Sequence, residues 1–247
     1  MAIRTRQSQR RRQALSRERI IEAAVELLDA AGEGGLTVRA LTERLATGSG
    51  AIYWHVGTRG ELLDAATDTV IAAALAAEPA RAPDTPQDEI RVVALGLFDA
   101  IAEHQWLATQ LAIQLTRSPW GPVTLGIFES IGRQVRALGV PQGNWFTATS
   151  ALVHYILGAT IQNAQIGEDT SVAEPDADRA DADRAEFLDA ASRAWQELDP
   201  GDYPFMRAIA DQMREHNDRE QFLAGIDLVL TGITHLQPPT GQAHIAE

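Results

Sequence analysis

The side chains best suited to binding chemistry are concentrated in one stretch, Gly35–Arg59. It reads GLTVRALTERLATGSGAIYWHVGTR and carries three arginines, a tyrosine, a tryptophan and a histidine. Side chains of these types can contact phosphate oxygens and the edges of bases. Which of them can do so depends on the helices that carry them.

Two short helices separated by a turn are predicted in this stretch. Thr37 is a favourable N-cap, and apolar residues follow it at helical spacing as far as Leu45. The run Ala46-Thr47-Gly48 ends the first helix, and a second helix is expected from about Ser49 to His55. A short helix, a tight turn with glycine and a second short helix form a helix-turn-helix, whose second helix can enter a DNA major groove. The alternative is a three-helix packing unit whose tyrosine and tryptophan belong to the core.

Two further helices flank this pair. Ser16 caps a first helix of clean helical periodicity, which Gly32, Gly34 and Gly35 are expected to end. Thr58-Arg59-Gly60-Glu61 is a capping box that begins a long helix, expected from Gly60 to about Ala77. The sequence therefore predicts an N-terminal three-helix helix-turn-helix domain over residues 16–62.

The ordered motif Leu36–Arg39, Ala51–Val56 and Arg59 resembles the DNA-binding domain of TetR-family repressors. The resemblance implies that Tyr53 and His55 contact phosphate. Arg39 is expected to read a base, since arginine can bridge guanine O6 and N7. The DNA-contacting positions carried over in this way are Thr37, Arg39, Ser49, Gly50, Ala51, Tyr53, Trp54, His55 and Arg59.

This sequence departs from the family pattern within the motif. Ala46 stands where the family usually has a turn glycine, and Arg59 stands where it usually has lysine. The run Gly48-Ser49-Gly50 offers few hydrogen-bond donors and has weak helix propensity. We therefore expect modest sequence specificity from the second motif helix alone.

Charge is distributed unevenly along the 247 residues. Residues 1–62 hold 10 arginines and 7 acids, a net charge of +3, whereas residues 63–247 carry −16, which gives −13 in total. Residues 1–15 are expected to form a basic arm that is disordered when free, and its Arg10, Arg11 and Arg12 are included among the predicted DNA contacts. The arm has two readings, a DNA-binding extension or a solvated tail.

The larger second part, residues 63–236, is predicted to be all-α, because no strand-length alternation appears. Glu78–Pro86 is a proline-rich linker, Glu168–Asp183 is expected to be a flexible acidic loop, and residues 237–247 a loose tail. The helices are expected at about Gln87–Glu103, Trp106–Thr116, Val123–Leu138, Asn144–Ile166, Glu186–Leu198, Pro204–His216 and Glu220–Leu236.

Gly139–Ile161 resembles a helix of tetracycline-repressor-type C-terminal domains, which the family uses for dimer packing and for one wall of a ligand pocket. A homodimer is also predicted because Asn144–Ile166 and Glu220–Leu236 carry more apolar surface than one protomer should need to bury. Gln162 aligns with an acidic residue that helps hold magnesium–tetracycline in the namesake repressor. An amide is a poor Mg²⁺ ligand, so that complex is not the expected effector.

Buried helices of the second part carry polar or very large side chains, which suggest an apolar or aromatic ligand. For each of them the alternative is an ordinary core position. The predicted ligand-binding residues are Phe98, His104, Trp106, Gln110, Trp120, Phe128, His154, Gln162, Asn163 and Trp195.

Several classes of function are disfavoured. Cysteine is absent, which excludes disulfides, thiolate catalysis and cysteine-bound metal, and no nucleotide, hydrolase or zinc motif is present. No apolar run reaches membrane-spanning length, so we expect a cytoplasmic protein without cofactor or metal. The sequence favours a homodimeric repressor on a partly palindromic double-stranded operator, released by a small organic effector. A regulator controlled by a protein partner is the alternative, and an all-α enzyme ranks third.

Overall fold

A computed structural model describes residues 15–79, 81–168 and 177–236, and every regular element in these ranges is helical. The basic arm with Arg10, Arg11 and Arg12 and the tail from residue 237 lie outside the described residues. The helices are α1 (Arg17–Gly35), α2 (Val38–Leu45), α3 (Ser49–Val56), α4 (Arg59–Ala76), α5 (Pro86–Glu103), α6 (Trp106–Arg117), α7 (Pro122–Ala137), α8 (Trp145–Glu168), α9 (Ala177–Gln196), α10 (Pro204–Ala208), α11 (Ala210–Arg214) and α12 (Asp218–Thr234).

The chain divides into two compact units, with the boundary between Ala137 and Leu138. The first unit therefore extends well past the predicted domain limit at residue 62. The reason is α4, which packs on α1 on one side and on α5 and α7 on the other. The ranges 16–62 and 63–236 remain predicted functional domains, and they differ from the two compact units.

Local capping explains how the helix-turn-helix begins and ends. The Ser16 and Thr37 hydroxyls accept hydrogen bonds from backbone N–H groups at the starts of α1 and α2, as the sequence predicted. Thr58 and Glu61 form the complete capping box at the start of α4. The sequence predicted that α1 ends at its glycines. Gly32 takes a positive φ of 59° and kinks the helix there, and one more helical turn follows as far as Gly35.

The first unit is held together by α4. Its buried residues Leu62, Leu63 and Ala66 continue the core of the N-terminal helices, while Gly96 of α5 lies against its far end. A Cβ at Gly96 would lie 2.8 Å from the carbonyl oxygen of Ala74, so only glycine allows this close approach. Helix α4 is thus in tight contact with both parts of the unit.

The second unit is built on two helix pairs, α8 with α12 and α9 with α11. Tyr155 of α8 lies with its hydroxyl over Gly225 of α12 and donates to the carbonyl of Phe222 at 3.1 Å. Its ring stacks on that of Phe222, with 6.0 Å between centroids. Burial raises the pKa of the Tyr155 hydroxyl.

Two expectations for the second unit were wrong. Helix α9 begins at Ala177, so the acidic segment predicted as a loop to Asp183 is helical from residue 177 onward. The single helix predicted from Pro204 to His216 is two short ones, because the backbone at Ile209 (φ −98°, ψ 1°) departs from helical geometry.

We predict that Gly225→Ala destabilises the second unit. Its Cβ would lie 1.8 Å from the Tyr155 hydroxyl oxygen, so the tyrosine must move and lose its hydrogen bond. The free energy of unfolding should fall by about 1–3 kcal/mol, measured by urea denaturation. The control is Gly34→Ala, where an added Cβ meets nothing within 4 Å. Equal stability of the two variants would contradict the Tyr155–Gly225 contact.

Candidate nucleic-acid interface

Helix α3 presents large aromatic side chains to solvent. Ile52 and Val56 are buried against the neighbouring helices, which leaves Tyr53 51% and Trp54 86% exposed on the other side. Ser49 and Gly50 are exposed at the start of the helix, and Ala51 is half-buried. Aromatic surface of this kind indicates a contact face, since monomeric proteins rarely leave it uncovered without a use.

Arg39 lies on α2 and is free to reach a groove. Its side chain is 88% exposed, and its Nε donates to the Glu43 carboxylate at 2.9 Å one turn along the helix. An exposed pair of this type contributes little stability, so the guanidinium can exchange its partner for a base edge at low cost. Thr37 already uses its hydroxyl as the N-cap of the same helix.

The turn between α2 and α3 keeps the geometry that a glycine would give. Ala46 has φ 50° and ψ 46°, the left-handed region, and its N–H still bonds to the carbonyl of Thr42. Among the non-glycine residues that the structure describes, only Ala46 has a positive φ. The alanine therefore costs about 1–2 kcal/mol of backbone strain without changing the path of the turn.

Arg59 is engaged within the protein. Its Nε donates to the carbonyl of Leu36 at 2.9 Å, and its Nη2 donates to the carbonyl of Glu33. These are carbonyls at the end of α1, so the guanidinium fixes the start of α4 against that end. The predicted phosphate contact of Arg59 stays a prediction.

A groove with a volume of about 390 Å³ bounds this surface beside His55, which is half-buried. Arg17 lies on it, together with the carboxylates of Glu61, Asp64 and Asp68. The hydrogen bond from the Thr58 N–H lowers the pKa of Glu61, whereas burial raises that of Asp68. Clustered carboxylates repel phosphate, so the groove marks an edge of the candidate interface.

Three predicted ligand-binding residues are hydrogen-bonded to α1, and their ligand-binding role stays a prediction. The Nδ1 atom of His104 and the Nε1 atom of Trp106 both lie 2.7 Å from Oδ1 of Asp29. The amide of Gln110 donates to the carboxylate of Glu33. The structure thus brings these three together, with the acids of α1 as their partners.

The other predicted ligand-binding residues are spread over both units. In the first, Phe98 and Phe128 are half-buried, and Trp120 lies on a turn with 76% of its surface exposed. In the second, His154 and Gln162 are exposed, and Asn163 and Trp195 are half-buried. The ligand-binding role of these residues stays a prediction.

Comparison with known families identifies the kind of protein that carries this interface. Residues 20–66 match the family described as "Bacterial regulatory proteins, tetR family", and residues 78–236 match "Tetracyclin repressor-like, C-terminal domain". The chain belongs to the TetR family. Its fold is accordingly the family's helix-turn-helix domain followed by a larger helical domain, and the members of this family are described as bacterial regulatory proteins.

Comparison with individual proteins also finds transcriptional regulators. An HTH-type transcriptional regulator of Saccharopolyspora erythraea is 31% identical over 145 residues, and the chain spans only 59% of that relative's length. The HTH-type transcriptional repressor DrrR1 of Streptomyces coeruleorubidus is 25% identical over 230 residues, which cover 89% of this chain and 77% of DrrR1.

Solved TetR-family structures superpose over most of the chain. The transcriptional regulator SCO7222, a TetR from Streptomyces coelicolor, is 63% identical, with a TM-score of 0.78 over 90% of this chain and 98% of that one. ActR of Streptomyces coelicolor, solved in complex with actinorhodin, has a TM-score of 0.69 over 90% of this chain and 96% of its own. Its 23% identity shows a common fold alone.

Sequence reasoning missed four residues that this geometry singles out. Gln114 of α6 donates to Asp64 of α4 at 3.1 Å, and the acids Asp29 and Glu33 accept from α6 as described. A signal was present, because glutamines 110 and 114 follow Trp106 at intervals of four, as Glu33 follows Asp29. The signal is weak because the rest of α6 is largely apolar.

We predict different effects for two residues of the interface. Arg39→Ala should cost about 1–3 kcal/mol of binding free energy and relax the preference at one base pair, whereas Tyr53→Phe should weaken binding to all sequences alike. Fluorescence anisotropy with an operator and its single-base-pair variants measures both.

A suitable control is Arg133→Ala, which removes an exposed arginine paired with Glu129 outside the helix-turn-helix. It should leave the affinity and the preference unchanged. Uniform loss across all sequences on Arg39→Ala would contradict the assignment of Arg39 as a base reader.

Proposed function

We propose that this protein is a ligand-responsive repressor that binds a partly palindromic operator as a homodimer and is released by a small apolar or aromatic effector. The observation that carries the proposal is the exposed face of Arg39, Tyr53 and Trp54, displayed by a helix-turn-helix that is packed directly on the larger helical domain. The family membership supports the DNA-binding part.

The proposed DNA contacts divide by chemistry. Arg39 reads a base pair, while Tyr53 and His55 anchor phosphates. Trp54 lies along the sugar–phosphate backbone. Ser49, Gly50 and Ala51 approach base edges, where the small side chains allow close contact, and Thr37, Arg59 and the arm residues Arg10, Arg11 and Arg12 add backbone contacts.

The second unit carries features that suit a two-fold interface. Leu228 of α12 is 75% exposed, and a Cβ built at Gly158 of α8 or Gly232 of α12 would meet nothing within 4 Å in the protomer. These positions lie on exposed stripes of helical spacing, made of Ala151, His154 and Gly158 on α8 and of Ala224, Leu228 and Gly232 on α12. Small residues around one large apolar residue allow helices of two protomers to pack closely.

We predict that Leu228→Arg abolishes dimerisation, because the charged side chain would be buried in the interface without a partner. Sedimentation velocity at micromolar concentration measures the effect. The matched control is Leu125→Arg, at an exposed leucine of α7 (57%), which should remain dimeric. A wild-type monomer, or a dimeric Leu228→Arg variant, would contradict the proposed interface.

For the effector we propose an apolar organic molecule bound in the larger domain. ActR, a protein of the same fold, was solved with actinorhodin, so the fold can hold a small organic molecule. Phe98 and Phe128 are half-buried aromatics on α5 and α7, which suits contact with an aromatic ligand. Trp120, which lies in the same compact unit, is a further proposed contact.

One experiment tests the function. The protein is used to select binding sites from a random library of duplex DNA, and the complex with the selected site is then challenged with a panel of planar polycyclic aromatic compounds. We expect a two-fold-related sequence and its release by at least one compound. Selection of no sequence would contradict the DNA-binding proposal. Selection without release by any compound would favour control by a protein partner.

A further inference from the structure

Helix α6 presents a row of hydrogen-bond donors to the DNA-binding helices. Trp106, Gln110 and Gln114 follow one another at intervals of four residues and therefore lie on one side of the helix. Each donates to a carboxylate of the DNA-binding region, at 2.7 Å from Trp106 Nε1 to Asp29 and 3.1 Å from Gln114 Nε2 to Asp64, with Gln110 bonded to Glu33 between them. We call this row the polar ladder.

The polar ladder joins the two functional parts of the chain. Its three acceptors, Asp29, Glu33 and Asp64, lie within residues 20–66, which match the DNA-binding family description. Its three donors lie within residues 78–236, which match the C-terminal domain. All carboxylates are on one side of the junction and all neutral donors on the other, so each bond is assisted by a full charge.

Burial makes the ladder sensitive to position. Trp106, Gln110 and Gln114 are only 6%, 4% and 7% exposed, so loss of a bond leaves a buried donor without its partner, whereas the acceptors Asp29 and Asp64 are exposed to solvent. A hydrogen bond of this kind is lost when the two atoms separate beyond about 3.5 Å. Helix α6 can therefore keep all three bonds in only one register against α1 and α4.

Helix α6 is also part of the core of the larger domain. Leu107 and Leu111, which alternate with the ladder residues along the helix, are fully buried. Movement of that core therefore moves the ladder. The middle bond of the ladder is also connected to the start of α4. Glu33 accepts one hydrogen bond from Gln110 through its carboxylate and another from Arg59 through its backbone carbonyl.

We propose that the polar ladder holds the helix-turn-helix at one fixed tilt on helix α6 of the larger domain, and so contributes to the half-site spacing that the proposed dimer reads. The inference rests on the proposed function, since spacing has meaning only for a dimer on a two-fold site. Trp106, Gln110 and Gln114 are then positioning residues rather than ligand contacts.

An exchange of amide and carboxylate tests the ladder without changing its shape. Gln110→Glu places a carboxylate against Glu33 and removes the bond. The double variant Gln110→Glu/Glu33→Gln restores a hydrogen bond in the reverse direction between side chains of the same size. The control is Gln196→Glu, which disrupts an amide–carboxylate pair with Asp211 that is exposed and lies in the second unit.

The experiment measures the preference for half-site spacing, because a loss of folding stability alone would not change that preference. Each variant is measured by fluorescence anisotropy on the operator selected by wild type and on versions with one base pair added or removed between the half-sites, a change of about 3.4 Å. Gln110→Glu should bind the native spacing roughly tenfold more weakly, as expected for loss of a charge-assisted bond. The altered spacings should lose less, so the preference shrinks. The double variant should regain both, and Gln196→Glu should match wild type.

Two outcomes separate the inference from the function on which it rests. A wild type that selects no two-fold site would overturn the proposed function and the ladder's role together. A wild type that selects one, with Gln110→Glu keeping its affinity and spacing preference, would overturn the ladder alone. If Gln110→Glu does not fold, Gln114→Glu with and without Asp64→Asn provides the same comparison at the next position, and retained affinity and spacing preference there would likewise overturn the ladder.

Discussion

Three buried donors of α6 meet three carboxylates of α1 and α4, and the first unit depends on how those bonds are satisfied. Loss of a partner would leave a buried polar group without water, at a cost of about 1–3 kcal/mol each. Apolar packing tolerates small sliding, whereas a row of directional bonds allows one register. The junction between the DNA-binding helices and the larger domain therefore has one defined geometry.

The same junction explains why the protein needs α4 to be rigid at both ends. Its start is fixed by the Thr58–Glu61 capping box and by Arg59 on the carbonyls at the end of α1. Its far end lies against Gly96, where only the missing side chain permits contact. A helix held in this way transmits a tilt along its length, and α3 is carried with it because the two helices pack on each other.

Much of the fold could be predicted because local sequence signals specify it. Thr37, the capping box and the period of buried residues such as Leu41 and Ile52 specify the helix-turn-helix within a few residues, and the TetR resemblance and the all-α class were confirmed. The partners of α6 could not be predicted in the same way, since Trp106 and Asp29 are 77 residues apart and meet only after folding. A polar residue on a buried helix indicates a partner, but it does not say whether that partner is a ligand or another helix. The helical start of α9 at Ala177 could not be predicted from its acidic composition, which is typical of exposed loops, although its alanines favour a helix.

The central claim is that the two helix-turn-helix domains of the proposed dimer are held at a fixed separation. A double electron–electron resonance measurement of that distance tests it directly. The chain has no cysteine, so Ser49→Cys allows one nitroxide label on α3 of each protomer and a single inter-subunit distance. Without DNA, we predict one narrow distribution centred within several ångströms of the half-site spacing of about 34–36 Å. A broad distribution spanning tens of ångströms would contradict the account, because domains that move freely cannot be positioned by a single register of hydrogen bonds.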